Sequence, residues 1–263
     1  GLMACSEDST LDMAGMFSPN GETVNTRFEQ SMAYNDSVGE IHLNMGSDTY
    51  TIYACTDSHV TRKTHKNLDY FIDQYNAAVE PKIALHLGDL IDAQNNYPCA
   101  DSVLNIGGRS INDTLFITPG NHDIYFKQWQ IYRSYFKTSC YWFDTNNGSK
   151  KLDLYICLDS AEGSLGTKQL KWLKDLLEAK SKEGYRRIIV MALEETYEIT
   201  SLLGKYHVEC VWSGHQHARQ SVHFKGVHYI VLNATKDEEQ SQSYMTVQVG
   251  EDLTYQFHPY PSH

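Results

Sequence analysis

Residues 85–92, LHLGDLID, and 117–123, ITPGNHD, share one construction: an apolar run stops at a glycine and is succeeded at once by aspartate, asparagine or histidine. A short apolar run closed by turn residues reads as a buried strand. The residues after each glycine supply oxygen and imidazole donors, the chemistry of a ligand loop rather than of a solvated turn.

Working outward, the same pattern recurs. TYTIYAC (49–55) has the β-branched and aromatic content of a strand, and LDYFIDQYNAAVE (68–80) has helical spacing through Leu68, Phe71, Ile72 and Tyr75. KIALHL (82–87), TLFITP (114–119), KLDLYICLD (151–159), RRIIVM (186–191) and VECVWSG (208–214) read as further strands. After Gly166 a helix is marked by Leu170, Leu173, Leu176 and Leu177 on one stripe with lysines elsewhere. Residues 221–257 read as consecutive strands without a helix between them. This order predicts a layered α/β fold with helices outside the sheets. Residues 1–24 carry no apolar periodicity and read as a flexible tether, leaving 25–263 as one domain.

Four loops, each just after a predicted strand, collect the unusual residues: Asp57 and His59 in D-S-H, Asp89 and Asp92 in G-D-L-I-D, Asn121 and His122 in G-N-H-D, and His215 and His217 in G-H-Q-H. Ligands of open α/β sheets bind beyond the carboxyl ends of the strands, so loops far apart in sequence can converge there. Singly, each motif is as compatible with a turn as with a ligand. Together and in order they are not. Glycine before Asp89, Asn121 and His215 allows the backbone to approach closely, free of a Cβ.

Composition narrows the chemistry. With 33 acids against 22 bases and a formal charge of -11 in 263 residues, the chain lacks the basic surface of a nucleic-acid binder. Phosphate recognition is then expected to be local, through metal. The six cysteines contain no C-x-x-C pair, and Cys55, Cys157 and Cys210 lie in strand-like runs as small buried residues. His86, His223 and His228 also fall in strands and read as packed or surface residues.

The ordered set D-x-H, G-D-x-x-D, G-N-H-D and G-H-x-H resembles the calcineurin-like metallophosphoesterase superfamily across residues 57–217. The resemblance implies a four-layer αββα sandwich and two divalent metal ions, Mn, Fe or Zn, at one edge. By resemblance Asp57, His59, Asp89 and His217 hold one ion, and Asp89, Asn121 and His215 the other, with Asp89 as the bridge. Two ions roughly 3.5 to 4 Å apart would acidify a bridging water and clamp the phosphoryl oxygens. The resemblance also makes His122 the acid that protonates the leaving group and Asp92 the residue that holds it. The implied activity is hydrolysis of a small-molecule phosphate ester: a monoester, a diester or a nucleotide pyrophosphate. Two subclasses fit less well: protein Ser/Thr phosphatases have arginines where Ala93 and Pro119 stand, and purple acid phosphatases have a tyrosine where Asp92 stands.

The pattern breaks once. The family carries a second-metal histidine just after the strand matched by RRIIVM, but here the chain continues as ALEETYEITSLLGKY and the next histidine is His207. Three accounts arise: a loop omitted between Met191 and Ala192, favoured because a direct junction leaves little chain to turn from strand to helix; a true deletion; or Glu194 or Glu195 as substitute ligand. A true deletion would favour the competing reading, a single-metal or non-catalytic binding protein.

Leu2-Met3-Ala4-Cys5 resembles the lipobox of bacterial lipoproteins, with Gly1 as a cloning remnant, and the acidic residues behind it resemble the export signal of Bacteroidetes surface lipoproteins. That resemblance implies an extracytoplasmic protein attached to a membrane through a lipidated Cys5.

Overall fold

The computed structural model describes residues 21–105, 115–193 and 197–262. Cys5, Glu194, Glu195 and the first 20 positions of the expected tether lie outside them.

Two sheets stack face to face. The five-stranded sheet contains β2 (Tyr50–Cys55), β3 (Lys82–His86), β4 (Leu115–Ile117), β11 (Ser243–Val249) and β12 (Leu253–Pro259), in the order β12-β11-β2-β3-β4. The seven-stranded sheet contains β1 (Ile41–Asn44), β5 (Tyr141–Asn146), β6 (Lys151–Cys157), β7 (Arg187–Met191), β8 (Cys210–Ser213), β9 (Gln220–Phe224) and β10 (Val227–Val231), in the order β1-β5-β6-β7-β8-β10-β9. The described α-helices are α1 (Val24–Val38), α2 (Lys66–Ala77), α3 (Tyr97–Leu104), α4 (Asn121–Ile124), α5 (Trp129–Phe136), α6 (Gly166–Lys180) and α7 (Thr200–Lys205).

Strand periodicity explains the layering, because successive side chains point to opposite faces. In β7, Ile189 and Met191 face the core between the sheets, where they join Ile52, Leu85, Phe143 and Trp212. Ile188 and Val190 face the other way, onto Leu173 and Leu177 of α6 and Leu203 of α7. A third core lies on the outer face of the five-stranded sheet, where Ala84 and Ile117 meet Leu68, Phe71 and Ile72 of α2. Helix, sheet, sheet, helix is thus the order of layers, as the motifs implied.

The first described helix begins at Val24. Thr23 caps α1, its Oγ1 accepting the Thr26 N–H at 3.1 Å, and Val24 is fully buried. This helix has no apolar stripe to read. Its buried face is Val24, Asn25, Arg27 and Ser31, held by the Arg27 guanidinium on Asp159 at 2.8 Å and by Ser31 against Ser139. Such a face is stable only with its partners present.

At the expected break, the chain continues from β7 alongside β8. Ala192 N–H donates to the Trp212 carbonyl at 3.1 Å, and the Leu193 carbonyl accepts from Gly214 N–H at 2.9 Å. The path from β7 therefore keeps beside β8 as far as Leu193, where it bends.

The candidate metal centre

β2, β3 and β4 are parallel neighbours, so the loops leaving them emerge side by side. β8 delivers the fourth loop from the other sheet. Bonds from backbone N–H groups stitch the four together: Asp57 N–H to the Gly88 carbonyl (2.9 Å), His59 N–H to the Asp89 carbonyl (3.1 Å), His122 N–H to Asp89 Oδ1 (2.9 Å) and His215 N–H to Asp57 Oδ2 (2.8 Å).

The loops close only through unusual backbone. Asp57, His59, Asp89, His215 and His217 have φ of 51°, 42°, 53°, 68° and 55°. Non-glycine residues in this left-handed region each cost about 1–3 kcal/mol and persist where the surroundings over-determine them. Five of the six expected ligands carry this strain. Glycine is required for a different reason at Gly120 and Gly214. A Cβ at Gly120 would collide with the carboxylate and amide of Asp89, and one at Gly214 with the side chains of Thr56 and Asp57.

Two groups of side chains converge. In the first, His217 Nε2 lies 3.2 Å from both Asp57 Oδ1 and His59 Nε2, and His59 Nε2 lies 3.7 Å from Asp57 Oδ1. These separations suit donors gathered about 2.0–2.2 Å from one ion. Asp57 is fully buried and His59 nearly so. Two imidazole nitrogens turned toward each other and toward one carboxylate oxygen fit a shared cation. The second group is His59, Asp89 and His122.

The second group departs from the expected assignment. His59, rather than Asp89, is common to the two groups, and the imidazole of His122 converges with His59 and Asp89 instead of standing apart from them. His215 belongs to neither group; its N–H is the part tied to Asp57. Asn121 Oδ1 is buried without a hydrogen-bond donor, which suits a cation. Asp92 does not hold His122 by its carboxylate. His122 Nδ1–H instead donates to the Asp92 backbone carbonyl at 2.7 Å, while the Asp92 carboxylate lies 3.6 Å from His59 Nδ1. The reason is loop geometry: Asp92 N–H is bonded to the Val60 carbonyl in the bridge beside β2's loop, which turns its main chain toward His122. The tautomer of His122 is fixed all the same, with Nε2 left for chemistry.

Leu193 stands just after β7, at the place in the chain where the resemblance called for a histidine. It is fully buried, its Cδ1 would lie 2.9 Å from a Cβ on Gly88, and its carbonyl is bonded to Gly214. An apolar side chain therefore sits between the Asp89 and His215 loops.

Crowded carboxylates set the electrostatics. Burial pushes Asp89 up to about 9, helped by the neighbouring carboxylates of Asp123 and Asp57. Burial also acts to raise Asp57, but hydrogen bonds from His217, His59 and Thr56 outweigh it and hold Asp57 low. Burial lowers His59, whereas the hydrogen bond to Asp57 raises His217. Three buried carboxylates beside two imidazoles fit a cation as counter-charge.

Sequence motifs left several supporting residues unassigned. Asp123 accepts the N–H groups of Leu90 (2.9 Å), Ile91 (3.2 Å) and Gly120 (2.8 Å), pinning the Asp89 and Asn121 loops to each other. Glu239 Oε1 lies 3.5 Å from His217 Nδ1. Asp237 accepts the first N–H groups of α2 at 2.9 Å. Asp123 was legible as the last letter of G-N-H-D; Glu239 and Asp237 come from a loop with no motif.

His86 supports the Gly88 turn and gives the site a pH dependence. Gly88 N–H donates to His86 Nδ1 at 3.2 Å, so Nε2–H donates to Ser58 Oγ at 2.8 Å, and the neutral ring is required. Burial lowers its pKa to about 4. Because the folded value lies below the unfolded one near 6.5, the unfolded chain takes up the proton first as pH falls. Stability is thus whole above pH 6.5 and is lost toward pH 4, by about 3 kcal/mol in total. Urea unfolding of wild type and His86→Gln across that window is expected to show their difference shrinking by this amount; a difference constant with pH would refute it.

The family model of calcineurin-like phosphoesterases matches residues 50–219. Among solved structures, the chain is similar to GAP50, the anchor in the inner membrane complex of Plasmodium, with a TM-score of 0.53 and 14% identity over 80% of this chain and 84% of that one. It is also similar to the sulfate thiohydrolase SoxB of Thermus thermophilus (TM-score 0.52, 12% identity, 73% and 42% covered) and to the NAD nucleotidase of Haemophilus influenzae (TM-score 0.51, 12% identity, 80% and 55% covered). The chain spans about half the length of these last two or less. At such identities the likeness shows the fold alone. No curated protein sequence matches the chain. With four ligand-type loops at the strand ends of two stacked sheets and a family match over residues 50–219, this chain belongs to the calcineurin-like phosphoesterase family.

Proposed function

We propose that the protein hydrolyses small phosphate esters at a centre of two divalent cations. The convergence of Asp57 Oδ1, His59 Nε2 and His217 Nε2 within 3.2–3.7 Å, around a fully buried carboxylate, carries this reading. In it, Asp57, His59, Asp89 and His217 serve one ion and Asp89, Asn121 and His215 the other. Bound ions would supply Lewis acidity at the phosphoryl oxygens and activate water. The chain supplies the rest. Asp123 holds two ligand loops in register, Glu239 orients His217, and His122 offers Nε2 to the departing oxygen while the Asp92 carbonyl fixes its ring. The repulsion between an acidic protein and a phosphate is met locally by the cations.

Leu193, standing where the resemblance called for a histidine, favours one alternative: a single-ion or non-catalytic binding protein. Turnover of p-nitrophenyl phosphate and bis(p-nitrophenyl) phosphate with added manganese separates the two. Hydrolysis of either supports the enzyme; none at full metal occupancy establishes the binder.

We also propose, on Leu2-Met3-Ala4-Cys5 alone, that Cys5 is acylated and anchors the protein on an extracytoplasmic membrane face. No described helix is long and apolar enough to cross a membrane.

A further inference from the structure

A cavity of about 650 Å³ opens directly beside His217, walled by Arg219, Asn233, Glu239, Gln242 and Phe257 among others. Its charges are unequal in their pairing. Glu239 is answered locally, 3.5 Å from His217 Nδ1 and 3.8 Å from Lys236 Nζ. Arg219 has no ion-pair partner among the described residues, although acids outnumber bases 33 to 22 in the chain. Its guanidinium carbon instead lies 4.5 Å from the centre of the Phe257 ring.

That position is built at both ends. The Arg219 N–H donates to Asn233 Oδ1 at 2.7 Å, and Asn233 Nδ2 in turn donates to Ser243 Oγ at 2.9 Å, tying the base of the arginine to β11. Phe257, on β12, supports the far end. A guanidinium stacked on an aromatic ring keeps its in-plane N–H donors available for a planar, bidentate acceptor. One residue, Ala218, separates Arg219 from His217, so their α-carbons are at most about 7 Å apart.

We propose that Arg219 anchors a carboxylate on the organic part of the substrate while the scissile phosphoryl group lies beside His217. The assignment rests on the phosphoesterase reading above. A carboxylate is favoured over a second phosphate because Arg219 brings a single positive charge into a wall that also contains Glu239. The remaining polar lining, which includes Asn233, Gln240, Ser241 and Gln242, is uncharged and suits the hydroxyls of such a substrate.

The test compares 3-phosphoglycerate with glycerol 3-phosphate, which differ by a carboxylate in place of a hydroxymethyl group, and with propane-1,3-diyl bisphosphate. Wild type is expected to favour 3-phosphoglycerate over glycerol 3-phosphate by about tenfold in kcat/KM, mainly through KM, the size of one partly exposed charge-assisted pair. Arg219→Gln is expected to bring that ratio near one, and Arg219→Lys to leave an intermediate ratio, since lysine keeps the charge but not the fork. A ratio unchanged in Arg219→Gln overturns the proposal, as does a preference for the bisphosphate over 3-phosphoglycerate. If none of these esters nor p-nitrophenyl phosphate is turned over, the phosphoesterase reading falls and this proposal with it.

Discussion

Asp57→Asn is expected to empty the first ion position and to lower turnover of p-nitrophenyl phosphate about 10³-fold. Asp57 Oδ1 is the oxygen that both His217 Nε2 and His59 Nε2 face, while Oδ2 accepts from Thr56 Oγ1 at 2.6 Å and from His215 N–H at 2.8 Å. Asparagine keeps the shape but loses the charge, and its amide presents a donor where either an ion or a backbone N–H needs an acceptor. Removing one partner of a buried charged set costs about 3–5 kcal/mol, and each 1.4 kcal/mol is a factor of ten. Elemental analysis, kcat/KM at saturating manganese and circular dichroism read the three quantities together. A folded variant with full metal and full activity would show that the convergence of these side chains is packing rather than ligation.

The second large effect is expected of His122→Ala, and it depends on the leaving group. A positioned general acid contributes about 10²–10⁴ in rate. Alkyl phosphates, whose departing oxygen needs the proton, are expected to lose activity within that range, and p-nitrophenyl phosphate less than about tenfold on the same argument. Metal content should stay level, because the proposed ligand set does not include this ring. The geometry makes the outcome informative: His122 lies in a convergent group with His59 and Asp89, and its Nδ1 is engaged by the Asp92 carbonyl. Loss of metal in step with activity would make His122 a ligand instead of an acid.

The strands that carry the site were readable because desolvation writes a local record. Ile188, Ile189, Val190 and Met191 are all buried, alternately in two different cores, and a strand buried on both faces appears as a continuous apolar run. The glycines were readable for the same local reason: Gly120 and Gly214 stand where any Cβ would strike a neighbouring loop. The helix Val24–Val38 was not readable, since its buried face is polar and its stabilising partners, Asp159 and Ser139, lie more than 100 residues away. The link between His122 and Asp92 was read correctly as a pair but to the wrong atom, because a sequence names the residue and not whether its side chain or its carbonyl turns inward.

By itself the sequence determined the strands that carry the site, the helix after Gly166, the kinds of donor atom at each strand end and the family, all of which come from alternation, turn chemistry and motif order along a short window of chain. Only the tertiary structure decided which donors share a point in space, that five of them sit in left-handed backbone, that Leu193 is buried between the Asp89 and His215 loops, and that Phe257 supports Arg219 from 38 residues further on. These depend on contacts between the two sheets. Their free energy comes from packing and pairing across the fold, and no local stretch of chain carries it.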